Sequence, residues 1–231
     1  MQQKQNAGRL VAVVVTHNRL SHLKTTLERL LESPEQDLSK IVVFDNASTD
    51  GSSQWLAQQT DPRLCTVTSP ENIGGAGGFE AGMRYAVAQF DPDWLVLTDD
   101  DGRPHADAIA SFHDDNRASS AVVAAAVYTP QGLICDINRL SRNRFWNPGA
   151  FLKTLLGRGR EGFHLDSKDY RGNTPLDVDG ASFVGLFVSR QAIELAGYPR
   201  GNLFLYAEDV LFTLTVRKNG GRIVFDPSVR F

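Results

Sequence analysis

Four apolar runs, each giving way to a polar loop, constrain this chain more than any other feature of it. Leu10-Val11-Ala12-Val13-Val14-Val15 is continuous and rich in β-branched residues, as suits a strand buried on both faces. It stops abruptly at Thr16-His17-Asn18-Arg19, after which Leu23, Leu27, Leu30 and Leu31 mark one face of a helix that Ser33-Pro34 ends. Ile41-Val42-Val43-Phe44 is the second strand, and it runs into the turn-rich segment Asp45 to Gly51 and a helix expected around Gln54 to Gln59. Leu64 to Thr68 is a weaker third strand, followed by Asn72-Ile73-Gly74-Gly75-Ala76-Gly77-Gly78. Phe79, Met83, Val87 and Phe90 then recur at helical spacing before Trp94-Leu95-Val96-Leu97. The resulting βαβαβαβ train predicts an α/β domain with a largely parallel sheet, in which ligands gather beyond the carboxyl ends of the strands.

The second half is less regular. Val122 to Tyr128 reads as a strand, and Gln131 to Asp177 as a long polar stretch with scattered aromatics and one helix near Phe151 to Leu156. A loop this long inside a compact domain is usually functional, so it is assigned to the substrate side. Strand character returns over Val178 to Val188, Arg190 to Ala196 is a short helix, Glu208-Asp209 opens a helix ending near Gly220, and Arg222 to Phe225 is a final strand. We expect a poorly ordered start over 1–9 and one domain over 10–231, with a ligand-binding half at 10–102 and a second half at 103–231. Pro227 to Phe231 reads as an extended segment that has been cut, so the chain is expected to be part of a longer protein.

Composition excludes several functions. With 24 Lys and Arg against 27 Asp and Glu the net charge is −3, which gives no general attraction to nucleic acid or to anionic lipid. Cys65 and Cys135 are far apart and form no CxxC, so neither a disulfide framework nor a thiolate zinc site is expected. No signal peptide or membrane span is legible. The expected location is cytoplasmic, with at most peripheral association at the inner face of a membrane.

The fourth apolar run ends in Thr98-Asp99-Asp100-Asp101-Gly102. Adjacent carboxylates at about 4 Å repel by roughly 1 kcal/mol in water and roughly 4 kcal/mol near a protein surface, so something must offset the cluster. If the segment stays extended, Asp99 and Asp101 project together and Asp100 faces away. Such a pair suits Mg²⁺ or Mn²⁺, which take one or two carboxylates together with substrate phosphates. A solvated acidic turn is the competing reading. Asp99-Asp100-Asp101-Gly102 also fits the D-x-D-G of aspartyl-nucleophile phosphatases, although three strand-helix units precede it here. Asp45, at another strand end, suits contacts to a base or ribose, or else caps a turn. The glycines from Gly74 to Gly78 either let a helix start approach an anion or form a flexible turn. Neither a dinucleotide fingerprint nor a P-loop is satisfied there. Glu208-Asp209 either caps its helix or supplies a general base.

Together, Val13 to Arg19, Asp45 to Gly51, Asn72 to Phe79, Thr98 to Asp101 and Glu208-Asp209 resemble, in order and spacing, the family 2 glycosyltransferases of GT-A fold. The glycine block followed by a triple Asp is most similar to the galactofuranosyltransferase and rhamnosyltransferase branch. The resemblance implies the nucleotide-diphospho-sugar transferase fold, a mostly parallel central sheet flanked by helices. It further implies inverting transfer of a galactofuranose- or rhamnose-type sugar from a UDP- or dTDP-linked donor to a hydroxyl of a glycan acceptor, lipid-linked or free, in cell-surface polysaccharide synthesis. By motif position, Thr16, Asn18, Arg19, Asp45, Gly74, Gly75, Asp99 and Asp100 would face the donor nucleotide. Asp99 and Asp101 would hold Mn²⁺ or Mg²⁺, and Asp209 would be the catalytic base. Glu208, Trp146 and Gly180 would line the acceptor side. Family members often add a His ligand after the Glu-Asp motif, and no His follows Asp209 here. Either that ligand lies beyond Phe231, or water and Asp residues complete the coordination. A catalytically silent sugar-nucleotide-binding module is the alternative from another functional class.

Overall fold

The structure, a computed structural model, describes residues 7–114, 117, 119–158, 162–205 and 207–231. Of the start expected to be loose, residues 1–6 lie outside this set, while Arg9 is tied down. Its N–H donates to Asp93 Oδ2 at 2.7 Å and its guanidinium to the Phe90 carbonyl at 2.7 Å.

Strand β1 (Leu10–Thr16) leads to helix α1 (Leu20–Leu31), β2 (Lys40–Asp45), α2 (Ser52–Leu56), β3 (Leu64–Thr68), α3 (Gly74–Phe90) and β4 (Trp94–Asp99). The alternation read from the sequence is therefore present in its expected order. β1 lies between β2 and β4 and is parallel to both, and β2 is parallel to β3. Every residue of β1 is buried. Its side chains divide by the pleat: Val11, Val13 and Val15 join Phe79 and Met83 of α3, whereas Leu10, Ala12 and Val14 join Leu23, Leu27 and Leu30 of α1. Helices thus cover both faces, and each fully buried leucine of α1 contributes roughly 1.5–3 kcal/mol through removal from water.

The chain continues through α4 (Ala108–Asp114), β5 (Val122–Ala126), α5 (Pro148–Lys153) with a π turn over Thr154–Arg158, α6 (Ser167–Arg171), β6 (Leu176–Val178), β7 (Leu186–Ser189), α7 (Arg190–Ala196), a 3-10 turn (Gly201–Leu203), α8 (Glu208–Lys218) and β8 (Ile223–Arg230). The sheet order is β3-β2-β1-β4-β7-β5-β8-β6. β7 runs antiparallel between β4 and β5, and β6 runs antiparallel to β8. Helices α4 and α6 were not expected from the sequence, and three further features differ from that reading. The apolar stretch expected as one strand over Val178 to Val188 is two, because residues 179–185 leave the sheet to form a loop beside α8. The final strand extends to Arg230, with an irregularity opposite Ala125 and Ala126. And α3 begins inside the glycine cluster rather than after it.

That early start has a packing cause. A Cβ at Gly78 would sit 2.7 Å from Val15 Cγ1, and one at Gly82 would sit 2.7 Å from Val13 Cγ1. Only a helix face without side chains can approach β1 this closely. Glycine in a helix costs about 0.5–1 kcal/mol relative to alanine, and burial of α3 against the sheet offsets that cost.

Candidate active site

The strand ends meet in register. Val15 pairs with Asp99 across β1 and β4, and Thr16 with Asp45 across β1 and β2. β4 ends at Asp99, and the chain turns there, the Gly102 N–H donating to the Asp99 carbonyl at 3.0 Å. The three carboxylates therefore leave a turn, and the strand alternation expected to carry Asp101 to the face of Asp99 stops before it. Asp100 points inward. Its Oδ2 accepts from Thr16 Oγ1 at 2.8 Å, and its carbonyl accepts from Thr26 Oγ1 at 2.6 Å. Asp101 is exposed.

Arg19 spans the cluster. Its guanidinium lies 2.7 Å from Asp101 Oδ2 and 3.3 Å from Asp100 Oδ1. Burial works against the Arg19 charge, but Asp100 and Asp101 outweigh it and hold the guanidinium above its ordinary value. Asp99 is raised to about 7, first by burial, then by the charges of Asp101, Asp100 and Glu208, against which Arg19 acts only partly. Burial also raises Asp100, with Thr16 and Arg19 opposing.

α8 supplies the other wall. Its first turn carries Glu208 and Asp209 after Ala207, which sits at φ +69. Burial raises both carboxyls. Glu208 Oε2 is buried with no hydrogen-bond partner among the described residues, and an ideal Cβ at Gly75 would lie 3.9 Å from Glu208 Oε1. Asp209 Oδ1 accepts from the Val210 N–H at 2.6 Å. The beginnings of α3 and α8 are thus adjacent, and Glu208 reaches far enough for its charge to act on Asp99.

The remaining expected residues are placed as follows. Asn18, at φ +54, receives the Thr49 N–H at 2.6 Å on its Oδ1, while its own N–H donates to Ser48 Oγ. It ties the first loop to the second. Asp45 is fully buried and takes the Ser48 N–H at 3.0 Å and the Ser53 hydroxyl, so its carboxylate caps the turn. The Gly74 N–H donates to Asn72 Oδ1 and the Ala76 N–H to the Phe204 carbonyl, so the start of α3 is satisfied by the protein's own acceptors at these two positions. Gly74, at φ +76, presses so close to Phe204 that a Cβ would sit 2.2 Å from its carbonyl oxygen. Gly180 exchanges both backbone hydrogen bonds with Ser141, and its ideal Cβ lies 4.0 Å from Val210 Cγ1. Trp146 is half exposed on the segment leading into α5.

Three residues outside the expected set of site residues organise this site. Asn46 is buried; its amide nitrogen donates to Asn72 Oδ1 and the Gly74 carbonyl, and its Oδ1 receives the Ile73 N–H. Thr26, buried on the apolar face of α1, holds the Asp100 carbonyl, and its one signal in the sequence is a hydroxyl beside Leu27 on that face. Asp50 Oδ2 caps α1 by accepting from the Leu20 N–H at 2.8 Å, and nothing in local sequence separates it from a turn residue.

The donor set can be tested against a divalent metal. Among the described residues no three His, Cys, Asp or Glu side chains are grouped to hold an ion by themselves. One or two carboxylates with the balance from water and phosphate is how Mg²⁺ is commonly held. Clustered hard oxygens, one of them on Glu208 without a partner, fit that mode.

Residues 11–169 match the family model described as glycosyl transferase family 2. Galactofuranosyltransferase GlfT1 of Mycolicibacterium smegmatis is 33% identical over 204 residues, covering 86% of this chain and 62% of the relative. The undecaprenyl-phosphate mannosyltransferase of Micrococcus luteus is 24% identical over 174 residues, covering 74% of this chain and 70% of the relative. The chain spans about three-fifths of the galactofuranosyltransferases it matches. In fold it is similar to the mannosyltransferase PcManGT from Pyrobaculum calidifontis, solved with GDP-Man and Mn²⁺ (TM-score 0.64, 20% identity, 96% of this chain and 56% of that one). It is also similar to GalNAc-T7, solved with UDP, GalNAc and Mn²⁺ (TM-score 0.68, 14% identity, 96% of this chain and 43% of that one).

Proposed function

The chain belongs to glycosyltransferase family 2 and has the GT-A fold, and on that premise we propose that it moves a galactofuranose- or rhamnose-type sugar from a nucleoside diphosphate donor to a hydroxyl of a glycan acceptor, inverting the anomeric centre. The observation that carries this reading is the convergence of Asp99, Asp100 and Asp101, bridged by Arg19, with the Glu208-Asp209 start of α8. The family assignment leaves the phosphatase reading without support.

In this reading Asp209 accepts the acceptor hydroxyl's proton. The Val210 N–H fixes Oδ1, which leaves Oδ2 for the transfer, and burial raises the carboxyl above its ordinary value, which strengthens it as a base. The new bond forms between the acceptor oxygen and the anomeric carbon as the bond from that carbon to the β-phosphate oxygen breaks, and the diphosphate leaves with the electron pair. Arg19, already poised over the cluster, turns toward the departing charge. Asp99 and Asp101, with Glu208 nearby, would hold Mn²⁺ or Mg²⁺, which when bound neutralises charge on the phosphates. Thr16 and Thr26 hold Asp100 and so fix the turn from which the other two carboxylates project. The donor nucleotide lies against the first loop at Asn18 and Arg19 and beside Gly75, while Asp45, buried on Ser48 and Ser53, and Gly74, packed on Phe204, shape that wall from within instead of touching the donor. Trp146 and Gly180 face the acceptor. The named galactofuranosyltransferases support the choice of sugar, and the undecaprenyl-phosphate relative supports a lipid-linked acceptor.

Thermal unfolding in the presence of UDP-, dTDP- or GDP-sugars with Mn²⁺ tests the donor site, because a ligand that binds only the folded state raises the midpoint. No shift with any of them refutes it. Asp209→Asn should lose transfer while keeping the shift.

A further inference from the structure

We propose that the segment from Ile137 to Arg158 is a docking surface for an anionic lipid bilayer, and that it holds the start of α8 at the membrane surface. Phe145, Trp146, Phe151, Leu152, Leu155 and Leu156 are between 48% and 74% exposed. A single exposed leucine is ordinary, but six large apolar side chains exposed within twelve residues of chain mark an interaction site. The last four fall at i, i+1, i+4 and i+5 along α5 and its π turn, the spacing of one helix face.

Charge selects the partner. From Ile137 to Arg158 the sequence carries Arg139, Arg142, Arg144, Lys153 and Arg158 and no Asp or Glu, in a chain whose net charge is −3. Arg139 is spent on Asp136, and Arg144 stacks over Phe145 and Phe163. Bulky apolar side chains interleaved with basic ones are what an interfacial segment presents to headgroups. No helix among the described residues is long and apolar enough to cross a membrane.

The segment is joined to the active site. Asn143 N–H donates to Asp179 Oδ2 at 2.8 Å, and Arg217 of α8 donates to Asp179 Oδ1 at 2.8 Å. Gly180 links Ser141 to the neighbourhood of Val210. Phe204, Leu205, Val210 and Leu211, which flank Glu208 and Asp209, are themselves 41–53% exposed. A second run of exposed apolar surface therefore brackets the proposed base. Docking rests on the transferase reading only for what it brings to the site; the binding itself does not depend on it.

Co-sedimentation of the full chain with vesicles tests the proposal without donor, metal or transfer. We expect retention on an equal mixture of phosphatidylcholine and phosphatidylglycerol, none on phosphatidylcholine alone, and loss of retention at high salt. Arg142→Gln with Lys153→Gln should weaken binding roughly fivefold per removed charge. Leu155→Ser with Leu156→Ser, both solvent-facing, should weaken it further while leaving the circular-dichroism melt unchanged. Asp209→Asn should leave it intact, so that failure of docking and failure of the transferase reading are read separately. Equal binding to both vesicle types, indifference to the leucine pair, or a dimer in solution that the leucine pair dissolves with no vesicle binding would each overturn the proposal.

Discussion

Raising the pH from about 6 to about 8 should tighten binding of Mn²⁺ alone about tenfold, because a metal ligand must first lose its proton. The size follows from Asp99. Burial and the charges of Asp101, Asp100 and Glu208 hold it at about 7, so about one molecule in eleven has it ionised at pH 6 and about ten in eleven at pH 8. A carboxylate at its ordinary value of 3.8 would be ionised throughout and give a flat profile. Titration calorimetry in two buffers of different ionisation enthalpy adds an independent number: about half a proton released per metal near pH 7. The metal is titrated alone because a diphosphate also titrates in this range. The metal-free protein should behave in the opposite sense. Its Asp99 binds a proton more tightly folded than unfolded, so the stabilisation this gives is complete below about pH 4 and is lost as pH rises to about 7. Asp99→Asn should remove that slope and the metal site together. A flat affinity between these pH values, with no buffer dependence, would show that Asp99 is not the titrating ligand.

Asp209→Asn should lower transfer by about 10²–10⁴-fold with donor affinity unchanged, measured by product formation and by thermal shift. Arg19→Ala should weaken donor binding and also lower stability, since Arg19 pairs with the exposed Asp101 and with Asp100, whose side chain is 3% exposed and would lose its counter-charge; donor titration and chemical denaturation read the two effects separately. Gly78→Ala should destabilise despite alanine's better helix propensity, because its Cβ would meet Val15 at 2.7 Å and overpacking costs about 1–3 kcal/mol. A raised melting temperature for that variant would contradict the packing account of the glycine cluster.

The first hundred residues were legible because a strand buried on both faces must be apolar without interruption, and Leu10–Val15 and Ile41–Phe44 leave little else for those segments to be. The carboxylates beyond such runs were findable for the same reason, since the end of an apolar run in a parallel sheet is an address. What those carboxylates touch was not. Asp45 and Asp100 look alike in sequence, yet one caps a turn through Ser48 and Ser53 and the other is buried on Thr16. Long-range partners decide that, and Thr16 and Asp100 lie 84 residues apart. The glycines misled in a second way. Their small size answers to Val13 and Val15 across a packed interface, which leaves no trace in the local pattern. Between Val178 and Val188 a continuous apolar composition hid a seven-residue excursion from the sheet, because Ala181, Phe183 and Val184 are buried in the loop as thoroughly as in a strand.

The position of β7 has a practical corollary for anyone dividing this molecule. It comes from the second half of the chain but inserts beside β4, pairing Trp94 with Ser189 and Leu97 with Leu186. A fragment ending at Gly102 would keep the triple Asp but leave β4 as a bare edge, and a long apolar edge with unpaired N–H and C=O groups is a template for aggregation. Chimeras that exchange the second half between relatives therefore inherit a foreign strand at the middle of the sheet. Their junctions succeed or fail on whether Leu186, Phe187 and Val188 fit the β4 and β5 surfaces they receive.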